Sequence, residues 1–254
     1  LNGRSIHYAR GRVFGGCSSI NAMIYMRGQK SDYDLWNQAT NDPTWNWGGA
    51  LETYKSIENY FGGENEWHGT KGEIRVEYPR VSWPILDAWR DAADENGIPK
   101  IEEFNRGDNE GCAYFHMNQK KGVRWSMSDS FLKPIQNRKN LTIMTKTQVL
   151  KVLTRQKTDE TKQNQKYNER GWANSKIETY GLEVLNQKQK LNVTAKEQVI
   201  LSSGAVSTPH LLQVSGIGSK ELINKINVEH VHELPGVGEN LKTIYKLEQF
   251  IKYQ

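Results

Sequence analysis

The chain has 254 residues, 36% of them hydrophobic, and a formal net charge of +5. That is enough for one large domain or two small ones, with a mean hydropathy of -0.75 that leaves surface and loops very polar. No run of about 18 apolar residues is present, which excludes a membrane-spanning helix. Cys17 and Cys112 are too few for a disulfide framework and suit a reducing compartment. The basic residues are spread widely, and their densest stretch, residues 155–170, also carries Asp159, Glu160 and Glu169, so a nucleic-acid-binding stripe is not expected.

In chain order, residues 11–19 hold Gly11, Gly15 and Gly16 among small polar residues, a composition that favours tight turns. The apolar run 20–25 is expected to start a helix. "SDYDLW" offers Ser31 as an N-cap with Asp32 and Asp34 in the first turn, and Leu35 and Trp36 would then face inward. "NWGGALETYKSIENYF" predicts a helix after Gly49, with Leu51, Tyr54, Ile57 and Phe61 at helical spacing. "GGENEWHGTKG" reads as a loop, and "EIRVEY" as a strand with Ile74, Val76 and Tyr78 on one face.

"SWPILDAWRDAADENGIP" predicts a helix with Pro84 in its first turn. Its apolar stripe is Ile85, Ala88, Trp89 and Ala92, and Gly97 and Pro99 stop it. Further on, Lys121 and Gly122 mark a hairpin turn, and Ser126 with Asp129 forms a capping-box pattern. "LTIMT", "QVLKVLTR", "KIETYGLEVL", "KLNVTA" and "EQVILSSG" read as strands, with a polar loop over residues 156–175. "STPHLLQVSGIG" reads as a turn and then a helix that begins at Pro209. This order predicts an α/β (α+β) protein of two interleaved domains.

His68 and His116 are expected in loops, and His7 and His210 in structural roles. His230 and His232 alternate on an expected strand but have no third ligand at suitable spacing, so no metal site is expected.

Two stretches carry chemistry. In "GRVFGGCSSINAMIY", Gly15 and Gly16 let a planar or anionic ligand approach the backbone. The amides of residues 17–19 can meet an acceptor, Asn21 offers donor and acceptor, and Ala22, Met23 and Ile24 can cover a flat ring. In "LSSGAVSTPHLLQVSGIG", a strand runs into a helix whose first amides form an anion site. Either stretch alone is also an ordinary tight turn.

Together they resemble the paired signatures of the glucose–methanol–choline (GMC) FAD-dependent oxidoreductases, and within them the bacterial choline- and alcohol-dehydrogenase-like branch. The first signature is matched by Gly11, Arg12, Phe14 to Asn21, with Phe14 in an aliphatic place. The second is matched by Gly204, Ala205, Ser207 or Thr208, Pro209, Leu211, Leu212, Ser215, Gly216, Ile217 and Gly218. "YMRGQKSDYDLW", "HGTKG", "GVRWS", "NLTIMTKTQVLKVL" and "LPGVGENL" are similar to further landmarks, so the resemblance runs to about Leu241.

The resemblance implies FAD as cofactor. Val13, Gly15, Gly16, Cys17, Asn21, Ala22 and Met23 would meet the isoalloxazine and ribityl chain, Val149 the adenine, and Gly204 and Ala205 the phosphate and ribityl part. Some members attach the flavin covalently through a histidine at the position of Ile20, so FAD would be bound non-covalently here. A small-molecule alcohol or choline-like substrate would lose hydride to the flavin and a proton to a histidine base; the electron acceptor is left open. That histidine region and the N-terminal Gly-x-Gly-x-x-Gly unit are not in the sequence, so no catalytic residue is assigned and the chain is expected to be an inactive middle portion of the fold.

The implied layout is a flavin-contact loop and following helix over 1–30, a helical connection over 31–69, and part of a substrate domain over 70–138. A strand-rich part of the FAD domain follows over 139–241. The tail, residues 242–254, is expected to be frame-shifted, because codons for a family-like continuation, "KDHLQIRTIYKVS", read "KTIYKLEQFIKYQ" after deletion of a single base. The expected location is cytoplasmic, or peripheral to the inner membrane. The competing readings are a non-catalytic remnant and a basic binding module without flavin.

Overall fold

The structure, a computed structural model, describes residues 3, 5, 7–157 and 176–241. The expected frame-shifted tail and most of the expected polar loop lie outside the described residues. The chain divides into two compact units between Leu141 and Thr142.

In the first unit, the expected helix at residues 20–25 does not form. The Asn21 side chain accepts from the Met23 amide at 3.0 Å, and Met23 takes φ +63°, so the chain turns sharply and cannot wind on. It then enters strand β1 (Ile24–Tyr25). Helix α1 (Lys30–Thr40) is capped by Gln29, not Ser31, because Gln29 and Asp32 exchange hydrogen bonds between side chain and backbone. Its inward residue is Tyr33, whose hydroxyl lies 3.0 Å from that of Tyr54 and accepts from the Gly28 amide. Leu35 and Trp36, expected inside, are 59% and 53% exposed.

Helix α2 (Trp47–Ile57) starts before Gly49, since Asn46 Oδ1 accepts from the Gly49 amide at 2.9 Å and caps it. The chain past Ile57 leaves the helix as strand β2 (Glu58–Tyr60), which pairs in parallel with β3 (Ile74–Val76). Phe61 is therefore outside α2. Tyr60, Ile74 and Val76 form the core here, with Tyr25, Ile57, Phe61 and Met127 packed against it.

Helix α3 (Pro84–Glu95) has Pro84 in its first turn as expected, and Gly97 follows at φ +84°. None of its residues is buried. Strand β4 (His116–Met117) pairs antiparallel with β1. Strands β5 (Gln119–Lys120) and β6 (Val123–Arg124) form the expected hairpin, with positive φ at both Lys121 and Gly122, as a tight two-residue turn requires. The Ser126–Asp129 capping box is present: each backbone amide donates to the other residue's side chain.

The second unit opens with an expectation that fails. "LTIMT" is not a strand; Lys146 at φ +52° turns the chain immediately before β7. Strands β7 (Thr147–Gln156), β8 (Ile177–Asn186) and β9 (Gln189–Thr194) form an antiparallel sheet in that order. The expected strand at "VIL", residues 199–201, has no partner among the described residues, and Ile200 is 75% exposed.

Helix α4 (Gly204–Val214) begins at Gly204, so Pro209 lies inside it rather than at its start. Pro209 cannot donate back to the Ala205 carbonyl; at the helix start, the Ser203 amide donates to the Thr208 hydroxyl oxygen at 3.0 Å. Strand β10 (Ile217–Gly218), helix α5 (Lys220–Lys225) and strand β11 (His232–Glu233) complete the unit, β10 and β11 pairing in parallel.

Candidate functional site

The glycine-rich stretch folds as a tight loop ending in a single 3-10 turn, Gly16–Ser19. Gly15 and Gly16 take φ +84° and +53°, a region that disfavours side chains. The two glycines do different work. A Cβ on Gly15 would lie 2.5 Å from Ser19 Oγ and 3.3 Å from Ser126 Cβ, whereas a Cβ on Gly16 would meet nothing within 4 Å. Gly15 is thus a packing glycine, and Gly16 faces open space on its Cβ side, while its amide donates to the Val13 carbonyl at 2.9 Å.

The loop satisfies much of itself. The Ser18 amide and hydroxyl both bond the Gly15 carbonyl, the Ser19 hydroxyl bonds the Phe14 carbonyl at 2.7 Å, and the Ile20 and Asn21 amides bond the Cys17 carbonyl. This corrects the expectation that the amides of residues 17–19 all await a ligand: that of Ser18 is already used. Around this open side, Val13, Phe14 and Ile20 are 59%, 54% and 47% exposed. Asn21 and Ala22 are exposed as well, while Cys17 and Met23 are half-buried. Cys17 and Cys112 are both free thiols. Open space at Gly16 flanked by exposed apolar side chains fits a flat cofactor such as FAD.

Sequence reading missed what holds this loop. Arg124 donates from Nη1 to the Ser18 carbonyl at 3.0 Å and to Asn21 Oδ1 at 2.8 Å, and the Met127 amide donates to Ser18 Oγ at 2.9 Å. "GVRWS" was visible as a landmark; that it lies under the first signature was not.

The remaining residues of the expected site lie in the second unit. Gly204, at φ +91°, and Ala205 are exposed at the start of α4. Val149 pairs with Val184 just before a register shift in β7, where a bulge leaves a backbone group off the ladder. Ser215, fully buried, accepts from the Val152 amide at 2.8 Å and donates to the Leu211 carbonyl at 2.6 Å, so it ties α4 to β7. "LPGVGENL" packs on the same helix: Gln213 Nε2 donates to the Val237 carbonyl at 3.1 Å, and a Cβ on Gly238 would lie 2.3 Å from that nitrogen.

A second constellation in the first unit was invisible in the sequence. Arg27, 2% exposed, donates from Nη2 to Glu58 Oε2 at 2.9 Å and from Nη1 to the Trp67 carbonyl at 2.7 Å. His68 lies between two carboxylates, with Nδ1 2.9 Å from Glu58 Oε2 and Nε2 2.8 Å from Glu103 Oε2. Its ring stacks on Tyr60 at 3.7 Å, and Arg106 closes the far side of Glu103. His68 lies in a loop as expected, whereas His116 sits in β4, and both are buried.

Burial would lower the pKa of His68, but the hydrogen bonds to Glu103 and Glu58 outweigh it and hold the group above its usual value. Burial would likewise raise Glu103, and the contacts with His68 and Arg106 hold it below. His116 is pushed down, chiefly by burial, against the opposing pull of Glu103. His68 thus lies between two carboxylates that favour its protonated form, beside His116, whose burial disfavours protonation. Among the described residues, no group of three or more His, Cys, Asp or Glu side chains could hold a metal ion, and no helix is long and apolar enough to cross a membrane. A cavity of about 550 Å³ is lined by Arg75, Glu77, Lys120, Trp125 and Ser130 among others, and by none of the residues expected to bind the cofactor.

The family model described as GMC oxidoreductase matches residues 1–245. The alcohol dehydrogenase [acceptor] of Pseudomonas putida is 35% identical over 245 residues, 95% of this chain and 41% of that protein. The oxygen-dependent choline dehydrogenase of Photobacterium profundum is 33% identical over 255 residues, 100% of this chain and 41% of that protein. Among solved structures, pyridoxine 4-oxidase from "Mesorbium loti" matches with a TM-score of 0.79 at 31% identity, over 92% of this chain and 42% of that one. The chain therefore spans about 41% of the length of the curated relatives it matches.

Proposed function

We propose a function from one premise: the chain belongs to the GMC oxidoreductase family. It carries part of the cofactor-binding machinery of an FAD-dependent enzyme that oxidises the CH–OH group of a small alcohol or choline-like donor. The observation that carries this reading is the open space at Gly16, framed by exposed Val13, Phe14 and Ile20, in a chain that matches the family along nearly its whole length.

FAD, when bound, supplies the hydride acceptor. The chain's own residues bind and orient it. Gly15, Gly16, Cys17, Asn21, Ala22 and Met23, with Val13 beside them, would lie against the ring system. Gly204 and Ala205, at the start of α4, would meet the phosphate and ribityl part, favoured by the helix N-terminus. The bulged strand at Val149 would offer backbone groups to the adenine. Binding is non-covalent, since Ile20 offers no nucleophile at the position where some members attach the flavin. The expected location is the cytoplasm, or peripheral to the inner membrane.

The chain alone is expected to turn over no alcohol, because no residue in it is assigned as the base. The test is dye reduction by the purified chain with added FAD, choline and primary alcohols. No turnover is expected. A rate within about 100-fold of a typical enzyme's roughly 10 s⁻¹ would overturn the assignment of the base to a region outside this sequence.

A further inference from the structure

We infer that Arg124 is the positioning residue of the glycine loop, and that it fixes Asn21 with its oxygen engaged by the protein and its amide group free for a ligand. Residues 103 positions apart are joined here: Arg124 Nη1 donates to Asn21 Oδ1 at 2.8 Å and to the Ser18 carbonyl at 3.0 Å. The Met23 amide donates to the same Asn21 oxygen at 3.0 Å. A guanidinium and a backbone N–H can only donate. The Asn21 atom that meets both must therefore be the oxygen, and no alternative flip satisfies the two donors. Asn21 Nδ2 makes no hydrogen bond to the described residues, and the side chain is exposed. Asn21 then meets a ligand as a donor, so the ligand group opposite it is a hydrogen-bond acceptor, such as a carbonyl, hydroxyl or phosphate oxygen.

Two neighbours of Arg124 act on the same loop. The Met127 amide donates to Ser18 Oγ, and Ser126 Cβ borders, at 3.3 Å, the position a Cβ on Gly15 would take. The segment from Arg124 to Met127 thus forms a floor that sets the loop before any ligand arrives. Arg124 touches backbone and Asn21 and is not assigned any contact with the reacting atoms. The ligand half of the inference rests on the flavin reading above; the loop half does not.

Hydrogen exchange of the 254-residue chain, read by mass spectrometry over peptides that cover residues 14–24, decides the loop half. Arg124→Met keeps the aliphatic stem and removes the donors, and Asn21→Ala removes the acceptor. Both are expected to speed exchange of the loop amides by about 10-fold or more, the usual worth of a charge-assisted hydrogen bond, while peptides from β7 to β9 stay unchanged. Asn21→Asp keeps the oxygen and should leave the loop as protected as in the parent chain. If Arg124→Met melts the first unit, the Asn21→Ala and Asn21→Asp pair still decides. Unchanged loop exchange in Asn21→Ala, or equal loss in Asn21→Asp, overturns the inference.

Quenching of FAD fluorescence supplies the second arm. Weaker quenching by Asn21→Asp than by the parent chain supports Asn21 as a donor, and equal quenching overturns that assignment. A parent chain that does not quench at all counts against the flavin reading, and the exchange result still decides the loop.

Discussion

The glycine loop at residues 15–23 and the ion cluster that begins at Arg27 adjoin in the chain and are built on opposite plans. The loop is half-buried, exposed at residues 20–22, and uncharged, and hydroxyls, carbonyls and one guanidinium hold it. The cluster is buried, with Arg27 at 2%, Glu58 at 0%, His68 at 0% and Glu103 at 5% exposure, and opposite charges hold it. A surface that admits a cofactor must keep its own donors satisfied while staying open. The cluster can be closed, and it ties β1's exit, β2, the "HGTKG" turn and the 103–106 stretch to one point. Burying ions costs desolvation that Coulomb attraction only offsets when every partner is in place. The cluster should therefore fail abruptly when one partner goes, and the loop gradually.

The largest expected effect tests that abruptness. Glu58→Gln leaves Arg27 and His68 facing each other without the carboxylate between them, at a cost of about 3–5 kcal/mol. Urea unfolding followed by tryptophan emission reads it in the first unit, since every tryptophan except Trp172 lies there. A loss under about 1 kcal/mol would place the pair in the class of solvated surface bridges.

Gly15→Ala comes next, at about 2–3 kcal/mol. The left-handed φ of +84° and the 2.5 Å approach to Ser19 Oγ add a backbone and a packing penalty. The same unfolding curve measures it. Parity with the parent chain would mean that the serine side chains yield freely and that the loop is not packed as described.

The cluster alone should answer to pH. His68 has its folded-state pKa raised above its unfolded value of about 6.5. Its contribution is complete below that value and is lost as pH rises through the folded pKa. Glu103, lowered, contributes above its unfolded value and loses that as pH falls through its folded pKa. His116, lowered mainly by burial, adds a further loss below about 6.5, where the unfolded chain takes up its proton. The unfolding free energy of the first unit should fall on the alkaline side, with a slope of at most about 1.4 kcal/mol per pH unit, and its melting temperature should fall with it. His68→Gln should flatten that limb and leave the loop's hydrogen exchange as it was. An alkaline limb that survives His68→Gln would assign it to another group.

The two regions also differ in how far the sequence announced them. The loop could be read because its glycines, serines and asparagine are contiguous and their backbone demands are local. For the same reason the Lys121–Gly122 turn and the Ser126–Asp129 box could be read. The cluster could not: Arg27, Glu58, His68 and Glu103 fall in four separate segments, and nothing in their spacing tells a buried pair from a solvated one. The errors have the same origin. An apolar run at residues 20–25 looks helical until the Asn21 side chain takes the Met23 amide. Leu35 and Trp36 look inward until Tyr33 finds Tyr54. "VIL" looks like a strand, but a strand is defined by a partner that local sequence cannot supply.

The smallest expected effect sharpens the comparison inside the loop itself. Gly16→Ala meets nothing within 4 Å, so its cost should be the left-handed backbone alone, about 1 kcal/mol, clearly less than for Gly15→Ala. The added methyl would project from the backbone that the flavin reading leaves open to a cofactor. The variant should therefore unfold nearly like the parent chain and yet quench FAD fluorescence less. If it unfolds as readily as Gly15→Ala, both glycines serve packing and the loop has no open face. If it is as stable as expected and quenches as fully as the parent, the open face at Gly16 is not where the cofactor approaches, and the contact must be sought at the exposed residues of the loop, Ile20, Asn21 and Ala22.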